Sequence, residues 1–289
     1  MKKKVLILGS SGFIGKNLSE AFKNKYYLLS PGHSELDLTD EPSVSFYFRS
    51  HPVDVVINAV VVGGSRKEEK EENAFRNNLL MFFNIVNNSR YYKKLIHFGS
   101  GAEYGKRRPL IKVSEDNFGT PIPTDDYGFF KYVCSKYIER SDKIVNLRIF
   151  GLFGKYEDYR YRFISNAICL NLLGRPISMN QNVFFDYVFI DDFTKIVEHF
   201  IIHKTKNKFF NIGTGKKIDL LTIAEKINSI ADKKSAIIIR KAGLNNEYSC
   251  DNKRLLKMLN EFKFTPIDEA IRKLYAWYKE NLPTIKLSS

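Results

Sequence analysis

Cysteine is scarce in this chain of 289 residues, and its three copies lie far apart. Cys134, Cys169 and Cys250 form no C-x-x-C pair, so the sequence predicts neither a disulfide framework nor a zinc site. No other metal site is expected. A reducing cytoplasm is the expected location of a protein with this cysteine usage.

Long apolar runs are also missing. The first residues, MKKKVLILGSSG, place lysines before apolar residues, but this apolar run ends at Gly9 and is too short for a signal peptide. No stretch approaches the length that spans a membrane, so we expect no membrane association.

Acidic residues are outnumbered, with 32 Asp and Glu against 46 Lys and Arg, which gives a net charge of +14. The basic residues are scattered through KEEKEEN, KKLIH and DKKSAIIIRK instead of forming one stripe. The charge therefore does not predict nucleic-acid binding. A basic cleft for an anionic small molecule fits the same total.

Short apolar runs alternate with amphipathic stretches through the first half of the chain. KVLILG, DVVINAV and KLIHFGS are typical of buried strands, and FIGKNLSEAFKN is typical of a helix. Regular alternation predicts an α/β fold with a Rossmann-type, doubly wound parallel sheet. We expect residues 1–155, joined by about 183–215, to form one domain built around this sheet, whose ligand is indicated by the loop that follows the first strand. Residues 156–182 and 216–289 are expected to form a smaller C-terminal α/β substrate lobe.

The first strand and helix are joined by GSSGFIG, which places Gly9, Gly12 and Gly15 in a G-x-x-G-x-x-G spacing. Glycines let such a turn close tightly and direct helix N–H groups at a pyrophosphate, so this loop predicts dinucleotide binding. The second strand leads into LLSPGHSELD, which has no acid before Glu35 to bind a ribose hydroxyl. That absence favours NADP(H), with His33 as a donor to the 2′-phosphate, and keeps NAD(H) as the alternative.

A Tyr and a Lys one helical turn apart can act as an acid/base pair, because the ammonium group stabilises the phenolate. The phenol can then exchange a proton with a substrate oxygen while hydride passes to or from a nicotinamide. This spacing occurs at Tyr127 with Lys131, at Tyr132 with Lys136, and at Tyr275 with Lys279. The spacing alone does not select among the three pairs.

Taken together, the motifs resemble the extended short-chain dehydrogenase/reductase family of nucleotide-sugar epimerases, dehydratases and reductases. The resemblance runs nearly end to end and is nearest to GDP-fucose synthases and other nucleotide-sugar 4-keto reductases. The segments that carry it are GSSGFIG, ELDLTD, VINAVVVGG, HFGSGAEYG, PTDDYGFFK, LRIFGLFG, FDYVFIDD, FNIGTG and IDEAIRKLYAWYKEN.

The resemblance implies a role for particular residues. It selects Ser100, Tyr127 and Lys131 as the catalytic residues, since the family's tyrosine follows a Pro-Thr loop near its helix N-terminus. The implied cofactor-binding residues are Gly9, Ser11, Gly12, Phe13, Ile14, Gly15, His33, Asp37, Leu38, Ala59, Val60, Tyr127 and Lys131. The implied substrate-binding residues are Gly63, Gly64, Ala102, Glu103, Arg160, Arg162 and Asn166. Arg160 and Arg162 are chosen because Phe185 stands where relatives have a phosphate-binding arginine.

Ala102 discriminates between the reactions of the family. The resemblance places it where 4,6-dehydratases carry Glu and GDP-fucose synthases carry Cys, and alanine cannot exchange protons. We therefore expect NADPH-dependent reduction of a keto group, at C4, on a nucleotide-activated deoxy sugar in surface-polysaccharide sugar biosynthesis. A 4-epimerase with bound NAD is the alternative, and a non-catalytic NADP(H)-sensing protein is the alternative of another class. Relatives also pair two of their helices into a homodimer, here residues 72–92 and the helix of Tyr127.

Overall fold

A computed structural model describes residues 2–63 and 72–281, which divide into two compact units. The first unit comprises 1–107, 115–149 and 194–211, and the second comprises 108–114, 150–193 and 212–289. Of the segment 183–215 that was expected in the first domain, only 194–211 belong to the first unit. Residues 183–193 and 212–215 belong to the second unit, as do 108–114 and 150–155 of the range 1–155.

The chain is built from short strands and helices of moderate length. The strands are β1 (Lys4–Leu8), β2 (Tyr27–Leu29), β3 (Val53–Asn58), β4 (Tyr92–Ser100), β5 (Leu110–Val113), β6 (Ile144–Ile149), β7 (Gly151–Phe153), β8 (Ile177–Asn182), β9 (Phe184–Phe189), β10 (Phe209–Ile212), β11 (Lys217–Asp219), β12 (Ile237–Leu244) and β13 (Tyr248–Cys250). The α-helices are α1 (Phe13–Phe22), α2 (Glu41–Ser50), α3 (Ala74–Asn87), α4 (Asp126–Ile138), α5 (Phe163–Leu172), α6 (Ile190–Ile202), α7 (Leu220–Ile230), α8 (Lys253–Leu259) and α9 (Ile267–Glu280). None of the helices in the described part of the chain is long and apolar enough to cross a membrane.

The first unit contains a six-stranded sheet in the order β10-β6-β4-β3-β1-β2. The pairs β1–β2, β1–β3, β3–β4 and β4–β6 are all parallel. From β1 the chain moves first to one neighbour and then to the other, so the strand order reverses beside β1, which is the ligand-binding position of open α/β sheets. The Rossmann-type α/β fold expected from the alternating sequence is confirmed.

The core of the first unit lies between this sheet and its helices. Val5, Leu6 and Ile7 on β1 are completely buried, which explains the unbroken apolar run of a parallel strand covered on both faces. Phe48 of α2 and Phe82 of α3 are equally buried and belong to the same apolar cluster. This packing fixes the carboxyl ends of β1, β3 and β4, where the candidate site is built.

The second unit holds a five-stranded sheet in the order β11-β9-β13-β5, with β7 paired to β9, and a two-stranded sheet of β12 and β8. Asp186 on β9 is completely buried and organises the loop after β10. Its carboxylate accepts hydrogen bonds from the N–H groups of Thr214, at 2.6 Å, and Gly215, at 2.9 Å. These bonds tie the GTG turn to β9.

Candidate active site

The loop between β1 and α1 folds back on itself so tightly that only glycine fits at two positions. Gly9 has φ +80°, and a Cβ there would lie 3.0 Å from the Ala59 carbonyl carbon and from Val60 Cγ2. A Cβ on Gly15 would overlap the Gly9 carbonyl oxygen. The Gly12 N–H donates to that oxygen at 3.2 Å and closes the turn. The glycine spacing is therefore explained by close backbone packing.

The N-terminus of α1 is open to an anion. Gly12 is its N-cap residue, and no side chain among the described residues caps this end of the helix. The N–H groups of the first turn, at Phe13 and Ile14, thus lack a side-chain acceptor, and Ser11 beside them is exposed. A loop of this shape with an uncapped helix start fits the pyrophosphate of a dinucleotide.

The segment after β2 carries the residues expected to meet the adenosine end of the cofactor. His33 is exposed. Asp37 Oδ1 accepts from the Thr39 N–H at 2.8 Å and from Thr39 Oγ1 at 2.7 Å, and these two bonds lower the pKa of Asp37. Leu38 packs its side chain into the core, so a contact between Leu38 and a cofactor would have to come from its backbone.

The end of β3 lies directly beside the glycine loop. The Ala59 N–H donates to the Leu8 carbonyl at 3.0 Å, and the Val60 N–H donates to Asn58 Oδ1 at 3.2 Å. These bonds hold the backbone of 59–60 against the loop. Gly63, with φ +75°, follows on the same segment, and Gly64 lies outside the described residues.

Ser100 is the last residue of β4 and begins a short 3-10 turn over Gly101–Tyr104. Its Oγ accepts from the Ala102 N–H at 3.1 Å. Ala102 is 1% exposed and Glu103 is completely buried, so neither side chain of this turn reaches solvent. The turn thus presents Ser100 at the strand end and directs its other side chains inward.

Helix α4 carries Tyr127 and Lys131 on one face, one turn apart. Asp125 caps this helix by accepting from the Gly128 N–H at 2.9 Å. An added Cβ on Gly128 would lie 2.9 Å from the Ala102 carbonyl oxygen, so the start of α4 packs directly on the turn that follows Ser100. This contact brings the half-buried Tyr127 close to the Ser100 strand end.

Lys131 is almost completely buried, with 4% of its surface exposed. Its Nζ donates to the Phe98 carbonyl of β4 at 2.5 Å and lies 5.9 Å from the centre of the Tyr127 ring. Burial, reinforced by the Lys131 charge, holds the pKa of the neighbouring His97 well below its usual value. The imidazole therefore stays neutral beside the lysine.

The two other Tyr–Lys pairs have structural partners. The Tyr132 ring packs on Phe118 at 5.0 Å between centroids, and Lys136 Nζ lies 3.0 Å from Glu139 Oε1. In the second unit the Tyr275 hydroxyl donates to Asn171 Oδ1 at 2.9 Å. These contacts give the other two pairs structural roles, and the choice of Tyr127 with Lys131 as the reactive pair stays a prediction.

The structure places Glu103 differently from the expectation that it contacts substrate. It accepts from Arg148 Nε at 2.7 Å, from Ser135 Oγ at 2.5 Å and from the Ser100 N–H at 3.0 Å. Because its carboxylate is completely buried among these donors, we no longer assign it to substrate binding. Arg148 and Ser135 had not been expected near the site, although a charged residue inside the apolar strand LRIF was a usable signal.

The remaining expected substrate residues lie in the second unit. Arg160 is half exposed and forms a bidentate ion pair with Asp158, in which Nε and NH2 each donate to one carboxylate oxygen at 2.8 Å. Arg162 is the N-cap residue of α5, and Asn166 lies in the first turn of that helix. No group of three or more His, Cys, Asp or Glu side chains that could hold a metal ion occurs within the described ranges.

Solved structures that share this fold include two reductases or synthetases and one epimerase of nucleotide sugars. A UDP-glucose 4-epimerase with UDP-glucose from Thermotoga maritima has a TM-score of 0.83 at 20% identity, covering 96% of this chain and 99% of that one. A GDP-mannoheptose C4 reductase from Campylobacter jejuni with NADP bound has a TM-score of 0.82 at 19% identity, covering 96% and 98%. A GDP-L-fucose synthetase from Naegleria fowleri has a TM-score of 0.86 at 16% identity, covering 99% and 95%.

Sequence comparison matches less than half of the chain to a curated relative and a longer part of it to a family. The ADP-L-glycero-D-manno-heptose-6-epimerase of Brachyspira hyodysenteriae is 25% identical over 150 residues, which are 47% of this chain and 46% of that relative. The chain thus spans about half the length of this curated relative. The pattern of the NAD dependent epimerase/dehydratase family matches residues 5–213, well over half of the chain. The chain therefore belongs to the NAD dependent epimerase/dehydratase family.

Proposed function

We propose that this protein uses NADPH to reduce a keto group, at C4, on a nucleotide-activated deoxy sugar. The proposal is carried by the end of β4, where Ser100 lies next to the start of the helix that holds Tyr127 and Lys131. These groups can orient one oxygen and give it one proton. Ala102 offers no acid or base at the place where dehydration or epimerisation would need one.

The roles of the three side chains follow from their chemistry. Tyr127 donates its phenolic proton to the carbonyl oxygen, and the Lys131 ammonium, held by the Phe98 carbonyl, stabilises the phenolate that remains. The Ser100 hydroxyl donates to the same oxygen and orients it. When bound, the reduced nicotinamide supplies the hydride.

Several features of the first unit support NADP(H) as the cofactor. The glycine loop and the uncapped start of α1 would hold the pyrophosphate. His33 is exposed after β2, with no carboxylate before Glu35 to repel a 2′-phosphate. Asp37 is already bound by Thr39. The reductase of similar fold from Campylobacter jejuni holds NADP, which agrees with this choice.

The substrate class rests on the relatives. The similar proteins are named for UDP-, GDP- and ADP-linked sugars, and a nucleotide sugar is therefore the proposed substrate here. Arg162, with Arg160 and Asn166, is proposed to meet its phosphates. Arg160 would have to exchange its Asp158 partner for phosphate, which is a small cost for an exposed ion pair.

A 4-epimerase with bound NAD is the second candidate, favoured by the similarity to UDP-glucose 4-epimerase. A non-catalytic NADP(H) sensor is the third, although the presence of Ser100, Tyr127 and Lys131 speaks against it. Incubation with a panel of 4-keto nucleotide sugars, with NADPH and with NADH, separates the three. A reductase consumes the absorbance at about 340 nm, an epimerase interconverts sugars without net consumption, and a sensor binds NADPH without converting any sugar.

The second Tyr–Lys pair provides a matched control for the catalytic assignment. Tyr127→Phe should lower kcat by at least about 10²-fold, because it removes the proton donor, and should leave NADPH affinity nearly intact. Tyr132→Phe removes a hydroxyl from the same helix and should keep near wild-type turnover. Equal activity of Tyr127→Phe and wild type would refute the assignment.

A homodimer through α3 and α4 is proposed as the assembly. Phe129 and Tyr137 on α4 are each 39% exposed, and the Phe129 ring stacks on Phe75 of α3. Exposed aromatic side chains of this kind are enriched at interfaces. Sedimentation velocity should give a dimer for the wild type and a monomer for Phe129→Lys, and a monomeric wild type would reject this assembly.

A further inference from the structure

The carboxylate of Glu103 joins three separate elements of the first unit. Its Oε1 accepts from the Ser100 N–H at 3.0 Å, at the end of β4. Its Oε2 accepts from Ser135 Oγ of α4 at 2.5 Å and from Arg148 Nε of β6 at 2.7 Å. The Glu103 side chain is completely buried, so every one of these bonds is shielded from water.

Ser135, which donates to Glu103, lies on the same face of α4 as the catalytic candidates. Tyr127, Lys131 and Ser135 follow one another at intervals of four residues and therefore share one face of α4. One carboxylate thus holds the strand end that carries Ser100 and the helix face that carries Tyr127 and Lys131.

Arg148 secures the carboxylate from the opposite side. Its guanidinium is 1% exposed and is stacked 4.2 Å from the Phe118 ring centre and 4.5 Å from that of Phe209. A second nitrogen, NH1, donates to the Tyr104 hydroxyl at 3.0 Å. A buried ion pair of this kind adds little stability over well-packed apolar residues. The hydrogen bonds of the ion pair hold the Glu103 carboxylate in one orientation, which an apolar pair could not do.

We propose that Glu103 is a positioning residue that sets the separation between the Ser100 hydroxyl and the Tyr127 phenol. This inference rests on the proposed function, in that it takes these two groups as the ones that meet the substrate oxygen. Ser100 Oγ accepts from the Ala102 N–H, which orients its hydroxyl group to donate to that oxygen. A small shift of the strand end against α4 would misplace this donor, and misplacements of this size are costly in catalysis.

The kinetic test uses Ser135→Ala, which removes the link between Glu103 and α4 and also the bond that Asn146 Nδ2 donates to Ser135 Oγ at 2.7 Å. The stronger variant is Glu103→Gln. The matched control is Glu115→Gln, because Glu115 is also a buried carboxylate that accepts a backbone N–H, from Asn211 at 2.8 Å. Each substitution is made in the wild type and in the Ser100→Ala background.

Positioning predicts that Ser135→Ala lowers kcat about tenfold while KM and the NADPH Kd stay within about twofold. In the Ser100→Ala background the same change should lower kcat by less than about twofold, since the group that it positions is gone. Equal factors in both backgrounds, or an equal loss in Glu115→Gln, would overturn the proposal, because a purely structural role has no reason to depend on Ser100.

A second measurement does not depend on any substrate. Peptide-resolved amide hydrogen exchange over residues 98–105 should accelerate about tenfold or more in Glu103→Gln and should be unchanged in Glu115→Gln. If the wild type consumes no keto sugar, the proposed function fails, and this measurement still decides the positioning role. Unchanged exchange over 98–105 in Glu103→Gln would overturn it.

Discussion

Replacing the buried acid Glu157 with glutamine should change how the stability of the second unit depends on pH. Glu157 is 6% exposed, and Ser165 Oγ donates to its Oε2 at 2.7 Å. Burial raises the pKa of Glu157 to about 8, against the opposing effects of the Ser165 hydrogen bond and the Arg162 charge. In the unfolded chain the same carboxyl titrates near 4.5.

Between these two pKa values the folded protein holds a proton that the unfolded chain has released. The free energy of unfolding therefore falls as pH rises from about 4.5 to about 8, and it levels off above that range. One such group gives a slope of at most about 1.4 kcal/mol per pH unit, or roughly 4 kcal/mol between about pH 5 and about pH 8. Glutamine mimics the protonated acid, so Glu157→Gln should lose this slope.

Urea unfolding followed by circular dichroism across that pH range measures the effect. The quantity of interest is the difference in unfolding free energy between Glu157→Gln and wild type, which should grow in favour of the variant as pH rises. Glu225→Gln, at an exposed position of α7, is the control and should track the wild type. If Glu157→Gln and wild type lose stability in parallel over the whole range, ionisation of Glu157 is not linked to folding and the reasoning is refuted.

Three further predictions concern the first unit. Gly15→Ala should abolish NADPH binding, measured by nicotinamide fluorescence, because the added methyl group would overlap the Gly9 carbonyl; unchanged affinity would contradict the role of the loop. Asp125→Ala should lower the free energy of unfolding by about 1 kcal/mol in urea, through loss of the α4 cap; no loss would argue against that cap. Ala102→Cys should introduce uptake of solvent deuterium at C3 or C5 of a 4-keto sugar, read by mass spectrometry. Because the Ala102 side chain is only 1% exposed, absence of uptake would show that residue 102 does not reach the sugar.

The parallel sheet of the first unit was predictable because its central strands can each be recognised from a local apolar run in the sequence. β1, β3 and β4 are buried apolar runs followed by helices, and their order along the chain requires crossovers. The long helix expected over 72–92 ends earlier, at Asn87, and a 3-10 turn leads into β4 at Tyr92. Residues 88–92 read NSRYY and contain no Gly or Pro to mark the end of a helix, so the sequence pattern misplaced this boundary.

The short strands of the second unit were not predictable in the same way. β5 pairs with β13, with Leu110 opposite Tyr248, and each strand has only three or four residues. Segments this short carry no readable period, and their partner lies more than a hundred residues away in the sequence. Tertiary pairing, not local preference, creates them.

At the candidate site the sequence predicted which residues take part, but it did not predict the hydrogen bonds between them. A glycine spacing and a Tyr–Lys spacing are local patterns, so the first-turn loop and α4 could be anticipated from the sequence. The engagement of Glu103 depends on Ser135 and Arg148, which are separated from it by 32 and 45 residues. From its position beside Ala102 in the sequence, Glu103 was predicted to bind substrate, whereas in the fold it binds Ser135 and Arg148.

The path of the chain limits how this protein can be recombined with its relatives. Each unit is assembled from three separate segments, so the chain passes from one unit to the other five times. A chimera joined at a single point would combine segments from different parents within at least one unit and mismatch the core of that unit. An exchange of the whole second unit between family members therefore calls for grafting its three segments together, with the junctions placed near residues 107, 114, 149, 193 and 211.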